Sequence, residues 1–270
     1  MSWHSGNWAA TTAGLGLSTI WDVLVVANSH WTVHDNAAGV NAKVYRCYDA
    51  DENVDFYVYV KDNNVGYWEV ELWEGWDAVG HAGTGIGIVD DGVDVFRARR
   101  VVGGWYLSVL DHRIIYIDAT NWQAQYIGAP RRYDKSKNIV LVMSATDNAT
   151  YYNCLTYWTK SDSHALAQRF LFDENRNQPL VNGDGGAGSS TYRQIMGVDG
   201  VLRLAGEMPV AGAATSLAVG TLEGVADMGA GASLNFSPAN GETVSIDGVD
   251  WIIFSGTYPY AKFWCAVRMA

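Results

Sequence analysis

The sequence predicts an all-β protein, an antiparallel sandwich or a set of meandering sheets, with one N-terminal helix. Three observations predict it. The chain carries 12 Trp and 15 Tyr against only 5 Pro, and aromatic side chains favour the pleated, half-buried surface of a strand. Apolar and polar residues alternate with period 2 over long stretches between residues 44 and 73. The chain also closes on Glu242-Thr-Val-Ser-Ile-Asp-Gly-Val-Asp-Trp-Ile-Ile-Phe-Ser255, two alternating runs around Asp247-Gly248. Asp-Gly suits a tight hairpin turn, because Gly adopts positive φ without cost.

The helix is expected over residues 8–27, where Leu17, Ile20, Trp21, Leu24 and Val25 recur at spacings of three and four and make one apolar stripe. Asn7, Thr11 or Thr12 could cap its start, and Gly14 and Gly16 weaken its first turns by about 1 kcal/mol each relative to Ala. Strands follow at His30 to Asp35, Val44 to Tyr48, Asp55 to Lys61 and Tyr67 to Trp73. In the last of these Trp68, Val70 and Leu72 share one face, and Glu69, Glu71 and Trp73 the other. Asp62-Asn-Asn-Val-Gly66 supplies a turn. Residues 77–94 read as a long glycine-rich loop, and further strands as an antiparallel meander at 94–100, 104–110, 113–118 and 138–144. Asn182-Gly-Asp-Gly-Gly-Ala-Gly-Ser-Ser190 reads as a linker or surface loop. It sets a soft boundary between a body of residues 1–184 and a C-terminal β unit of residues 185–270, unless the second part completes the first sheet.

Composition narrows the function. With 49% hydrophobic and 17% charged residues the chain is globular rather than disordered. A net charge of −11 argues against nucleic-acid binding, which needs a basic stripe to neutralise phosphates. Cys47, Cys154 and Cys265 are too few and too scattered for a disulfide framework or a paired-cysteine metal site; they read as buried thiols, the odd count leaving an intermolecular bridge open. The first residues lack a basic segment followed by an apolar run, and the Val23 to Ala27 stretch is far short of a membrane span. The expectation is a soluble chain without a targeting leader, made in a cytoplasm and not inserted in a membrane.

Chemical motifs are sparse. His30 and His34 would share a helix face, but Trp31, Thr32 and Val33 between them prefer a strand, where positions four apart lie about 13 Å apart, too far for one metal. Gly83-Thr-Gly-Ile-Gly87 lacks the spacing and the following Lys-Ser/Thr of a phosphate loop. Asp173-Glu-Asn-Arg-Asn-Gln178 starts like a calcium loop but puts Gln178 where Gly is needed and Asp184 where Glu is needed, and the cluster around Asp90, Asp91 and Asp94 is no stronger. No Ser or Cys sits in a nucleophile elbow, and Glu69 and Glu71 read as a solvated strand face. No catalytic residue, cofactor or metal is expected.

Other residues suggest association. Trp3, Trp8, Trp73, Trp76, Trp105, Trp122, Trp158, Tyr258 and Tyr260 exceed what a core of this size needs, and Trp, Tyr and Arg are enriched at interface anchors. Arg97, Arg99 and Arg100, with Arg131 and Arg132, are the basic clusters of an acidic chain and read either as a solvated face or as candidates for ion pairs between subunits. The interface candidates are Trp3, Trp8, Trp73, Trp76, Arg97, Arg99, Arg100, Arg131, Arg132, Tyr258 and Tyr260.

An ordered series of short motifs resembles a loosely defined family of tailed-bacteriophage virion structural proteins. The series is Asp55-Phe-Tyr-Val-Tyr-Val60, Tyr67-Trp-Glu-Val-Glu-Leu-Trp73, Gly75-Trp-Asp77, Gly103-Gly-Trp-Tyr-Leu-Ser-Val109, Asp111-His-Arg-Ile-Ile-Tyr-Ile-Asp118, Tyr126-Ile-Gly128, Thr221-Leu-Glu-Gly-Val225 and the Asp247-Gly248 hairpin. Residues 160–200 fall outside it, and the Pro-rich turn expected after Gly128 is reduced to Ala129-Pro-Arg-Arg-Tyr133. The resemblance implies a non-enzymatic structural subunit located in the virion, in the neck or tail, whose partners are copies of itself and other virion proteins. The alternatives are a carbohydrate- or receptor-binding β-sandwich module and a capsid decoration protein.

Overall fold

The computed structural model describes residues 2–63, 66–88, 97–99, 102–120, 123–132, 135, 139–144, 154–159, 169–170, 207–211, 218–230, 240–246, 248–255 and 263–269. In chain order the strands are β1 (Ser2–Trp8), β2 (Trp31–Gly39), β3 (Ala42–Asp49), β4 (Val54–Asp62), β5 (Tyr67–Asp77), β6 (Ala82–Ile88), β7 (Arg97–Arg99), β8 (Gly103–Leu110), β9 (Arg113–Asp118) and β10 (Gln123–Gly128). They continue as β11 (Arg131–Arg132), β12 (Ile139–Ser144), β13 (Cys154–Thr159), β14 (Arg169–Phe170), β15 (Glu207–Ala211), β16 (Ala218–Ala230), β17 (Thr243–Ile246), β18 (Val249–Ser255) and β19 (Phe263–Arg268). One short helix, α1 (Leu17–Val25), lies between β1 and β2.

Among the described residues every strand pairing is antiparallel. The first sheet runs β1-β8-β9-β10-β12-β13-β14; the second runs β2-β3-β4-β5-β6, with β7 beside β5; the third runs β11-β16-β19-β18-β17, with β15 beside β16. The all-β expectation holds. In β4 and β5 the alternation read from the sequence is the observed burial: Phe56, Val58, Val60, Trp68, Val70 and Leu72 are fully buried, and the residues between them face outward. The expected terminal hairpin forms, with Gly248 at φ 77° and Ile246 opposite Val249; Asp247 lies outside the described residues.

Three elements differ from expectation, each for a tertiary reason. The helix expected over 8–27 is shorter, and the chain enters it from a strand: Ser2 to Trp8 pair with Val109 to Gly103. The helix is also wound more widely than an α-helix, with Val26 N–H bonded to Trp21 O five residues back at 3.1 Å. The residue at its N-cap position is Gly16, which brings no capping side chain of its own. Instead the Asp62 carboxylate on β4 accepts the Gly16 N–H at 2.6 Å. Gly16 is needed there because a Cβ would stand 2.7 Å from the Trp68 ring. Third, part of the loop expected over 77–94 is strand β6. Its glycines serve packing, since the Trp73 ring occupies the space a Gly83 side chain would take.

The first two sheets face each other across one core. Trp8, Leu107, Ile114, Tyr116 and Ile127 of the first pack with Trp31, Phe56, Val58 and Trp68 of the second, and Ile20, Trp21 and Val25 of the helix join them. Trp68 joins the sheets: its ring lies 4.6 Å from that of Tyr116, and its indole N–H donates to Gln125 Oε1 at 2.9 Å. Strand β9 is buried along its whole length. Ile114 and Tyr116 belong to that core, and Ile115 meets the third sheet at Gly224, where a Cβ would stand 3.5 Å from Ile115 Cδ1. Arg131 and Arg132 pair with Thr221 and Gly220 of that third sheet. Among the described residues no helix is long and apolar enough to cross a membrane.

Candidate functional site

The outward face of the second sheet gathers partly exposed aromatic rings. On β4 and β5 the register sets Tyr57 opposite Trp73 and Tyr59 opposite Glu71. The Tyr59 ring stacks on Trp76 at 5.7 Å, and Trp76 meets Trp73 edge-on at 6.5 Å. Towards β3, the Arg46 guanidinium lies 4.6 Å from the Tyr48 ring centroid and 5.5 Å from that of Tyr57, while His34 of β2 meets Tyr57 edge-on. Arg46 also forks onto Asp55 with bonds of 2.9 and 3.0 Å, which fixes its position beside the two tyrosines. Burial raises the Tyr59 pKa, and the neighbouring Glu71 and Glu69 raise it further, so the phenol stays protonated.

Carboxylates fix the two indoles. Trp73 Nε1–H donates to Glu71 at 2.9 Å, and Trp76 Nε1–H donates to Asp35 at 2.9 Å. Asp35 is 4% exposed, sits at a bulge in β2, and is also met by His81 Nδ1 at 2.8 Å and the Ala37 N–H at 2.9 Å. Burial alone would raise the Asp35 pKa. The hydrogen bonds from His81, Trp76 and Ala37 outweigh it and hold the carboxyl below its ordinary range.

A second cluster lies where three turns meet. His30 precedes β2, Asp49 ends β3, and His112 occupies the turn between β8 and β9. Asp49 Oδ2 stands 2.8 Å from His112 Nε2 and 3.5 Å from His30 Nδ1, and the two imidazoles meet edge-on at 4.9 Å. Asp49 Oδ1 accepts the N–H groups of Asp51 and Glu52, so the carboxylate is fixed with its other oxygen toward the histidines. The side chains are 30%, 14% and 12% exposed for His30, Asp49 and His112. Burial depresses the His112 pKa despite the Asp49 hydrogen bond, which keeps the imidazole neutral.

No protein-family model matches the chain, and no functionally described protein matches it.

The other expected interface residues are dispersed. Trp3 stacks on Tyr106 at 5.6 Å and is partly exposed. Trp8 is 3% exposed, packs on Trp105 and donates to the Tyr116 hydroxyl, so it faces the core. Arg97, Arg99 and Arg132 lie on β7 and β11, and Arg131 is exposed. Arg100, Trp122, Tyr258, Tyr260, the Gly-rich stretch 182–190 and both calcium-like segments lie outside the described residues. Cys47 is a buried free thiol whose pKa burial raises, an inert core residue. Cys154 and Cys265 lie on β13 and β19.

Sequence reasoning weighed His30 only against His34 and rejected that pair as a metal site. The fold pairs His30 with Asp49 and with His112, the last two 63 residues apart. No local spacing announces such a set. Tyr48, Tyr57 and Tyr59 were also missed as a surface, although their alternation with Cys47, Phe56 and Val58 put them on the face away from the core.

Proposed function

We propose that this chain is a structural subunit of a tailed-bacteriophage particle, in its neck or tail, and that it has an assembly role rather than a catalytic one. It would join copies of itself and other virion proteins through the aromatic face of the second sheet. The observation that carries this reading is one sheet face that bears Tyr59, Trp73 and Trp76 in ring contact, with Tyr57 opposite Trp73 and Arg46 over Tyr57 and Tyr48, an interface-like composition. Its indoles and guanidinium are held in place before any partner arrives, so association would order few side chains. The ordered resemblance to virion proteins supplies the setting.

The test has two parts. Sedimentation of the purified chain should show a defined oligomer, and the double variant Trp73→Ala, Trp76→Ala should shift it toward monomer while keeping the strand signature in circular dichroism. Immunogold labelling of phage particles from cells carrying the native gene should mark the neck or tail. Label over the head would make the chain a capsid decoration protein. A monomer that labels no particle ends the virion reading.

A second reading, recognition of carbohydrate, is favoured by one feature of the same face. Two adjacent indoles stand beside Glu71, which combines ring faces for sugar stacking with an acceptor for hydroxyl groups. Glycan-array binding lost in Trp76→Ala would establish it.

A further inference from the structure

We infer that His30, Asp49 and His112 form a binding site for a divalent transition metal of the zinc class. The donor set comprises His30 Nδ1, His112 Nε2 and Asp49 Oδ2, all within 4.8 Å of one another. Two imidazoles and one carboxylate suit zinc and its neighbours, whereas magnesium and calcium prefer oxygen ligands throughout.

Two of the three donor distances lie close to those a tetrahedral ion needs, and the third is within 4.8 Å. Ligand atoms about 2.0–2.1 Å from a tetrahedral ion lie about 3.3 Å apart. His30 Nδ1 to Asp49 Oδ2 is already 3.5 Å, and His112 Nε2 to Asp49 Oδ2 must open from 2.8 Å by about half an ångström. The ligands are also held from behind. Asp49 Oδ1 is occupied by two backbone N–H groups. The His30 carbonyl accepts the Tyr48 N–H, and its own N–H donates to Asn28 Oδ1. The His112 carbonyl accepts the Ala129 N–H. In the metal-free site His112 donates its Nε2–H to Asp49; on metal binding that proton moves to Nδ1, which frees the Nε2 lone pair for the ion. His30, the most exposed of the three, leaves a side open for water as the fourth ligand.

The ion would join the two facing sheets at one end, because Asp49 ends a strand of the second sheet and His112 turns between two strands of the first. This site stands independently of the virion reading, since it shares no residue with the aromatic face.

The experiment uses the full, untagged chain, stripped with chelator and titrated with zinc chloride in a calorimeter, with parallel thermal melts and a cobalt(II) titration. The expected result is one saturable equivalent, a melting temperature that rises with zinc, and a visible cobalt band of tetrahedral intensity. His30→Gln, Asp49→Asn and His112→Gln should each weaken binding by more than the roughly 10–100-fold typical of losing an outer partner of a metal ligand. His30→Gln is the decisive variant, since its partly exposed ring can be replaced without emptying the core, and its metal-free melt checks folding. Absence of saturable zinc binding overturns the proposal. So does affinity unchanged in His30→Gln and His112→Gln, or an equal response to magnesium.

Discussion

Asp35 shows how one buried carboxylate organises a surface. Its hydrogen bonds from Trp76, His81 and Ala37 span β2, β5 and the turn before β6, and so set the angle at which Trp76 meets Tyr59. The folded pKa is depressed, so the stabilisation is complete above the ordinary Asp range and is lost as pH falls through the folded value. Asp35→Asn should cost about 1–3 kcal/mol at neutral pH. It should also flatten the acid limb of stability against pH; urea melts at neutral and acid pH check both. An acid limb unchanged in the variant would mean that other carboxylates control it.

At the scale of elements, the helix depends on what it touches. Its start is capped from β4 by Asp62, and its middle is tied to β3 by Asp22, which accepts from Lys43 Nζ at 2.7 Å and from the Tyr45 hydroxyl at 2.8 Å. Burial, with the adjacent Asp22, raises the Tyr45 pKa and keeps that hydroxyl a donor. Asp62→Ala should therefore destabilise by at least the 0.5–2 kcal/mol typical of a lost cap, about the lower bound for a buried one, as read from denaturant midpoints. Strand β6 depends equally on β5. Gly83→Val should displace the Trp73 ring, with a cost of about 1–3 kcal/mol and a shift in tryptophan fluorescence. Unchanged fluorescence would show that Trp73 does not rest on Gly83.

Across the whole molecule, the first two sheets share one core, and Trp68 of the second touches Tyr116 and Gln125 of the first as well as Trp21 of the helix. Trp68→Ala should cost about 3–5 kcal/mol. Because both sheets lose the same partner, fluorescence and circular dichroism should still report a single coincident transition. Two separated transitions would show that the sheets fold independently.

The sequence by itself determined the strand content, the inward and outward faces of β4 and β5, and the terminal hairpin. Each follows from local terms, period-2 patterning and turn chemistry, that act between residues near in the chain. The apolar stripe Leu17, Ile20, Trp21 and Val25 was likewise legible, but the bounds of the helix were not, because β8 draws residues 2–8 into a strand and Asp62 supplies the cap. Only the tertiary structure decided that a Gly-rich segment becomes β6 beneath Trp73, that Asp35 holds Trp76, and that His30, Asp49 and His112 converge. Those arrangements join residues distant in sequence, where the energy comes from packing and from burying a charge beside its partners, and neither leaves a periodic trace along the chain.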